Sequence, residues 1–227
     1  MGDVAWGALK RVAHAVATLF VVPALLSYYF RALIIGRDRA LEGSTQALAV
    51  VPGLIGQYLR RAFLARVLAA CDRTATISFG TIFSKAGARI DRNVYIGPYC
   101  NVGLVHIGPD ALLAAGVHVP SGRRGHGLED PLTPIREQPG TLQTVHIGEG
   151  AWVGSAAVVM ADVGAHTVIG AGAVVTKPLP AHVVAAGVPA RVLRSRQDAV
   201  SRPEATSLSR PQRAFPRRGP VPRNRVS

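Results

Sequence analysis

An apolar residue, usually branched, returns about every six positions between residues 77 and 175, and glycine often follows it. The spacing matches neither a helix, with a period of about 3.6, nor a simple alternating strand. Most intervals are six residues, with slips of seven, five and four. The fourteen positions are Ile77, Phe83, Ile90, Ile96, Val102, Ile107, Leu113, Val119, Ile147, Val153, Val159, Val163, Ile169 and Val175.

Self-similarity at a short fixed period is typical of a solenoid. Each unit supplies one short strand and one turn, and three units close a triangular coil. The returning residue points inward, where each fully buried Ile or Val contributes roughly 1.5–3 kcal/mol. The pattern predicts a mainly β fold of about five triangular coils over residues 74–194. Such stacks need covered ends, which residues 1–73 and the segment after Pro189 would supply.

Residues 1–73 are predicted to form an apolar, helical and membrane-associated region. No charged side chain occurs from residue 12 to residue 30. These 19 residues are just enough for a helix to cross a bilayer. Basic residues flank the stretch on both sides, so charge gives it no orientation.

A second apolar stretch, residues 48–71, carries one helical stripe, with Arg60 and Arg61 predicted to face elsewhere. Two helices joined by a polar turn at residues 36–45 would suit a hairpin lying in or against a membrane. Packing of both helices on the folded domain is the alternative. The stripe consists of Leu59, Phe63, Leu64, Val67 and Leu68.

The net charge of +13 is concentrated at the two ends. Residues 1–70 carry eight Lys/Arg against three Asp/Glu, and residues 195–227 carry eight against two. The middle is nearly neutral, whereas a nucleic-acid binder usually shows a basic face on its folded core. Basic ends beside apolar segments favour an anionic membrane surface. Residues 195–227, rich in Pro, Arg and Ser, are predicted to form a disordered basic tail.

Two cysteines, Cys71 and Cys100, are too few for a disulfide framework in a chain of 227 residues. Buried thiols in a reducing compartment are the expected state. With the apolar first region, this favours a cytoplasmic location at the inner face of the cell membrane.

The repeats and the stretch "VVTKPLPAHVVAAGVPARVLR" at residues 174–194 resemble the hexapeptide-repeat acyltransferases. That family includes maltose, galactoside and xenobiotic acetyltransferases and those of exopolysaccharide gene clusters. The resemblance implies a left-handed parallel β-helix and a homotrimer with three active sites between neighbouring prisms. It also implies acetyl-CoA, or another acyl-CoA, as co-substrate and no tightly bound cofactor. Related carbonic anhydrases bind zinc on this architecture, but the close histidine pair they use is absent, so no metal site is expected.

The repeat breaks once, at the loop of residues 120–146, which carries His126. Loops extruded from a rigid scaffold are where functional groups usually lie. In the enzymes that the chain resembles, a histidine on such a loop is the general base. A neutral imidazole, with an ordinary pKa of about 6.5, can take a proton from a hydroxyl that attacks a thioester. Glu129 or Asp130 could orient the ring, or could be solvated loop acids.

The resemblance also implies an acyl-CoA groove near the C-terminal coils. Trp152 would close over the pantetheine arm, and small residues would let the cofactor approach the backbone. Compared with a full hexapeptide, the sequence is two residues short after "VVM", which shortens one side near this groove. The predicted cofactor-binding residues are Trp152, Ser155, Gly170, Ala171, Thr176, Lys177 and Arg191.

The predicted function is transfer of an acyl group, most simply acetyl, from acyl-CoA to a hydroxyl of a sugar or exopolysaccharide precursor. No nucleic-acid partner is expected. The alternative is a non-catalytic trimeric β-helix scaffold docked at the membrane.

Overall fold

The computed structural model describes residues 2–197, and the side chains of residues 12–197. The first region contains three helices rather than two: α1 (Gly2–Ile35), α2 (Arg37–Ala49) and α3 (Gly53–Val67). The predicted polar turn at 36–45 is therefore wrong, because most of it belongs to α2. The tail predicted for residues 195–227 lies largely outside the described residues, which end at 197.

Within the part of the chain that the structure describes, sixteen short strands follow the helices. They are β1 (Ala70–Cys71), β2 (Thr76–Ile77), β3 (Ile82–Phe83), β4 (Arg89–Ile90), β5 (Tyr95–Ile96), β6 (Asn101–Val102), β7 (Val105–Ile107), β8 (Leu112–Leu113), β9 (His118–Val119), β10 (Val145–Ile147), β11 (Trp152–Val153), β12 (Val158–Val159), β13 (Val168–Ile169), β14 (Val174–Val175), β15 (Val183–Ala186) and β16 (Arg191–Ser195).

The strands form three sheets, one for each side of a triangular prism. Sheet A has the order β1-β4-β7-β10, sheet B the order β16-β15-β13-β11-β8-β5-β2, and sheet C the order β14-β12-β9-β6-β3. Neighbouring strands are parallel except for the last pair, β15 and β16. Single bridges through Val163 continue sheet A to Leu179, so the chain completes five coils and begins a sixth.

The core of the prism consists of the residues that recur in the sequence. All fourteen predicted inward positions are at most 2% exposed. The residues beside them in each strand are more exposed, as in β4, β5 and β6. The prediction of a triangular solenoid with a stacked aliphatic interior is confirmed.

The interval of four residues between Val159 and Val163 recurs between Val175 and Leu179. Both intervals turn the chain from sheet C to sheet A, and bridges pair Val163 with Ile147 and with Leu179. The shortening predicted from the sequence therefore belongs to two successive coils, which keeps them in register.

Helices α2 and α3 cover the open end of the first coil. Thr45 of α2 donates its hydroxyl to the carbonyl oxygen of Phe83 at 3.1 Å. Arg60 of α3 is 2% exposed and donates to the carbonyl oxygens of Ile77, Leu48 and Val51. The prediction that Arg60 faces away from the packed side is therefore wrong. The guanidinium joins the end of α2 to strand β2.

Helix α1 packs on α2 and α3 along a single stripe. Ala17, Val21, Leu25 and Tyr28 are buried, at intervals of three and four residues. The opposite face leaves large apolar side chains exposed. Val12–Ile35 is long and apolar enough by length and composition to cross a membrane, with a mean hydropathy of 1.8. A core helix or a signal sequence meets the same criterion, so this finding alone is weak.

Candidate functional site

A cleft of about 470 Å³ opens along the corner where the chain passes from sheet C to sheet A in the later coils. Thr176 and Lys177, which directly follow β14, line it, so two predicted cofactor-binding residues lie in this cleft. Arg123, from the start of the predicted catalytic loop, lines the same cleft. The cleft therefore joins the loop to the "VVTK" stretch, although Arg123 and Thr176 are 53 residues apart in the sequence.

The loop leaves the prism as a short stem. The backbone N–H of Thr141 donates to the carbonyl oxygen of Arg124 at 2.7 Å, and that of Gln143 donates to Ser121 at 2.9 Å. A Cβ on Gly140 would collide with the Gly125 carbonyl and lie 2.6 Å from the backbone nitrogen of His126. The two sides of the stem thus approach closely at the position of His126.

The far part of the loop is organised around Gln138, which is buried. Its side-chain amide donates to the carbonyl oxygens of Asp130 and Thr133, at 2.6 and 2.8 Å. These bonds hold residues 130–138 together in the far part of the loop.

His126 is exposed. The Glu129 carboxylate accepts the backbone N–H of Leu128, which lowers the pKa of Glu129. The Asp130 carboxylate accepts the Thr133 hydroxyl at 2.5 Å and the N–H of Leu132, and these bonds lower the pKa of Asp130. Both acids stabilise turns of the loop, and among the described residues neither carboxylate is hydrogen-bonded to the His126 ring.

Among the described residues that line the cleft, the histidine is His146 and not His126. No function was predicted for His146 from the sequence. The His146 Nδ1 is 3.5 Å from an Asp162 carboxylate oxygen, and the same oxygen accepts the His146 backbone N–H at 2.8 Å. Asp162 occupies the shortened connection between Val159 and Val163, which is the sequence signal that could have indicated it. His146 points outward, as expected from its position before an inward Ile.

Four other predicted cofactor-binding residues lie away from this cleft. Trp152, in β11 on the outer face of sheet B, is 52% exposed. Ser155 and Ala171 are exposed at the corner between sheets B and C, where the Ser155 carbonyl accepts the N–H of Gly172 at 2.8 Å. A Cβ on Gly170 would lie 2.8 Å from the Ala186 side chain, so close coil packing accounts for this glycine.

Arg191 belongs to β16, which turns back to pair antiparallel with β15. It is exposed and lies opposite Ala186 in that pair. The predicted residues therefore form two groups in one chain. One group faces the cleft with the loop, and the other lies on sheet B and its corner, with sheet C between them.

The charges that line the cleft suit an anion, and the His146 ring lies beside them. Among the described lining residues, Arg123 and Lys177 supply two positive charges and Asp162 supplies one carboxylate. Thr176 adds a hydroxyl at the same edge. Such charges suit the phosphates of a nucleotide-type cofactor. Within residues 12–197, no cluster of three His, Cys, Asp or Glu side chains is placed to hold a metal ion.

No family model matches the chain. It is 38% identical over 117 residues to the galactoside O-acetyltransferase of Escherichia coli strain K12, covering 47% of this chain and 56% of that protein. It is 30% identical over 140 residues to the "Putative lipopolysaccharide biosynthesis O-acetyl transferase WbbJ" of the same strain, covering 52% of this chain and 71% of that protein.

Among solved structures, the chain is similar to a galactoside acetyltransferase in complex with coenzyme A, with a TM-score of 0.54 and 26% identity. The similarity covers 71% of this chain and 82% of that one. The fold is accordingly a left-handed parallel β-helix. The chain spans little more than half the length of the first of the relatives above.

Proposed function

We propose, because this chain belongs to the hexapeptide-repeat acyltransferase family, that it transfers an acetyl group from acetyl-CoA to a hydroxyl of a sugar or exopolysaccharide precursor. The observation that carries the proposal is that Arg123, three residues before His126 on the loop, lines the same cleft as Thr176 and Lys177. The similarity to a coenzyme A complex supports the same cofactor here.

The reaction needs one proton carrier and no covalent enzyme intermediate. The neutral His126 imidazole accepts the proton of the acceptor hydroxyl while the oxygen attacks the thioester carbonyl carbon. The carbon–sulfur bond then breaks, and the imidazolium returns its proton to the leaving thiolate. The products are the acetyl ester and coenzyme A with a free thiol. Much of the acceleration comes from holding the two substrates in line.

The cofactor site is proposed to be completed by a second copy of the chain in a homotrimer. Within one chain, sheet C separates the cleft from Trp152, Ser155 and Ala171. A groove between neighbouring prisms would place Trp152 of one copy near the cleft of the next. Arg191 would then lie near the phosphates, where a guanidinium suits their geometry.

The test measures release of the coenzyme A thiol from acetyl-CoA with candidate sugars. We expect His126→Ala to lower kcat by roughly 10²–10⁴-fold while the affinity for coenzyme A is unchanged. The matched variant His146→Ala removes the imidazole that lines the cleft itself. We expect His146→Ala to keep most of the activity, because His146 belongs to strand β10, whereas the resemblance assigns the base to the loop. Loss of activity in His146→Ala alone would move the base to His146.

The alternative, a non-catalytic scaffold, predicts that the wild-type chain does not bind coenzyme A at all. Equilibrium binding of coenzyme A distinguishes the enzyme from the scaffold. A scaffold would not require Lys177 and Thr176 to line an open cleft.

We place the protein at the cytoplasmic face of a membrane, held there by α1. Leu19, Leu26 and Leu33 on its outer face are 72%, 66% and 87% exposed. A large exposed apolar patch on a protein surface commonly marks an interaction site. We expect Leu26→Glu with Leu33→Glu to release the protein from membranes. The control is Leu128→Glu, since Leu128 is 73% exposed on the loop. Equal membrane binding of both variants would contradict the placement.

A further inference from the structure

A cavity of about 1170 Å³ lies between α1, α3 and the corners of the first two coils. It is on the opposite side of sheet A from the cleft, because its coil residues are at the corner that leads from sheet A to sheet B. Pockets for small molecules are commonly about 300–1,000 Å³, so the space is sufficient for a headgroup. Its polar lining includes His14, Tyr58, Arg61, Arg66, Arg73 and Thr74.

The lining is strongly basic. Arg61, Arg66 and Arg73 contribute three guanidinium groups, and the lining residues that the structure describes include no Asp or Glu. The nearest acid along the chain, Asp72, accepts hydrogen bonds from the Thr74 hydroxyl and N–H at 2.6 and 2.8 Å. These bonds lower the pKa of Asp72 and keep it ionised, so it offsets one of the three positive charges.

Two of the guanidinium groups are held in place. Arg61 lies 4.6 Å over the Tyr58 ring and donates to the Ala75 carbonyl oxygen at 3.1 Å. Arg66 donates to the Thr18 hydroxyl at 3.1 Å. The side chain of Arg73 is exposed and makes no hydrogen bond or ion pair among the described residues. Fixed and free donors of this kind suit the several oxygens of a phosphate.

His14 shares the cavity and contacts the edge of the Tyr58 ring, with ring centroids 5.2 Å apart. Burial, then the charges of Arg61 and Arg73, lower the pKa of His14. The ring is therefore a neutral hydrogen-bonding group near neutral pH, and the anion attraction comes from the arginines.

An apolar strip on α1 continues from the mouth of this cavity. Ala15 and Thr18 line the cavity, and on the same side of the helix Val22, Leu26 and Leu33 follow. Their exposed fractions are 39%, 66% and 87%. The Tyr29 hydroxyl closes one edge of the strip by donating to the Arg66 carbonyl oxygen at 3.0 Å. A basic cavity at one end of an apolar strip is complementary to an amphiphile with an anionic head.

We propose that this cavity binds the phosphate of a membrane amphiphile, whose hydrocarbon chains lie along the apolar strip of α1. The site is separate from the coenzyme A cleft. This proposal rests on the proposed placement of α1 on a membrane. It adds that the protein prefers membranes with anionic headgroups.

The test uses the full chain and vesicles of phosphatidylcholine alone or mixed with phosphatidylglycerol, with binding measured by flotation. We expect Arg66→Gln with Arg73→Gln to weaken binding to the mixed vesicles about thirtyfold, about fivefold for each charge. The matched control is Arg39→Gln with Arg136→Gln, which changes the net charge equally at exposed sites outside the cavity. The control should stay within about twofold of wild type.

The possible outcomes distinguish phosphate binding in the cavity from the placement of α1 on a membrane. The proposal is supported if the wild type and the Arg66→Gln, Arg73→Gln variant bind neutral vesicles equally, and only this variant loses the preference for anionic vesicles. Equal losses in both double variants would show a diffuse charge effect and overturn it. If inorganic pyrophosphate binds the vesicle-free protein as tightly as the mixed vesicles do, the ligand of the cavity is a soluble phosphate and not a lipid. Failure of wild type to bind any vesicle would overturn the placement, and thiol release from acetyl-CoA, assayed separately, would be unaffected.

Discussion

The buried Arg60 offers a sharp test of how the helices cover the β-helix. The change is Arg60→Met, which keeps a long side chain and removes the guanidinium. Arg60 Nε donates to the Ile77 carbonyl oxygen at 3.0 Å, and Nη1 donates to those of Leu48 and Val51 at 3.1 and 2.8 Å. The Leu48 carbonyl keeps the backbone N–H groups of Val50 and Val51 as partners, the latter at 3.4 Å, whereas the Ile77 carbonyl loses its bond to the helices.

The magnitude follows from two opposing contributions. A hydrogen bond to a charged group contributes about 1.5–3 kcal/mol, which for three bonds is roughly 4.5–9 kcal/mol. Burial of the guanidinium opposes this by several kcal/mol, and the same burial lowers the pKa of Arg60. We expect a net loss of about 3 kcal/mol in the free energy of unfolding, a large part of the 5–15 kcal/mol typical of a domain.

The assay is urea unfolding followed by circular dichroism, with all variants at the same protein concentration because association would shift the transition. The control is Arg66→Met in the same helix, where an exposed guanidinium donates to the Ala62 carbonyl oxygen of its own helix and to the Thr18 hydroxyl of α1, but makes no bond to the first coil among the described residues. We expect the control to lose less than about 1 kcal/mol. A value for Arg60→Met within that same range would refute the idea that this arginine joins the helices to the first coil.

Three further predictions address packing, thiol chemistry and the cofactor cleft. Gly154→Ala would place a Cβ 2.5 Å from the backbone nitrogen of Ala171 and should lower the free energy of unfolding by about 1–3 kcal/mol, whereas Gly125→Ala, with nothing within 4 Å, should not. Burial, and then the Asp72 carboxylate, raises the pKa of the Cys71 thiol to about 12. In a Cys100→Ser background, alkylation by iodoacetamide at about pH 8 should therefore be about a thousandfold slower in the folded than in the unfolded chain; comparable rates would contradict the burial. Lys177→Gln should raise the KM for acetyl-CoA about tenfold with little change in kcat, while Arg136→Gln should leave both unchanged; a fall in kcat alone would point away from cofactor binding.

The repeating core could be predicted from the sequence because every coil requires the same kind of inward side chain at the same spacing. One side chain in six must fill the axis of the prism, and a branched aliphatic does so at every level. The inward position is thus fixed by short-range geometry, which is why all fourteen predicted residues are buried. The loop predicted for residues 120–146 could also be found, because it interrupts this period, although β10 begins at Val145, before the predicted end of the loop.

The helical region shows where local reasoning failed. Residues 36–45 are polar and contain two glycines, so they predict a turn. Helix α2 nevertheless forms, since its buried face of Ala40, Leu41, Ser44 and Thr45 packs on the open end of the first coil. The Asp38 carboxylate accepts the N–H of Ala86 at 3.0 Å and pairs with Lys85. Tertiary contacts outweighed weak local preference.

The sequence by itself therefore determined the solenoid, its inward residues and the loop that carries His126, because these follow from a period of a few residues. Only the tertiary structure decided that Arg60 is buried, that Asp162 lies beside His146, and that the predicted cofactor residues divide between two sides of sheet C. Each of these depends on which residues of successive coils and helices come together in space. The distances between such residues are set by the path of the whole chain and not by a short sequence period.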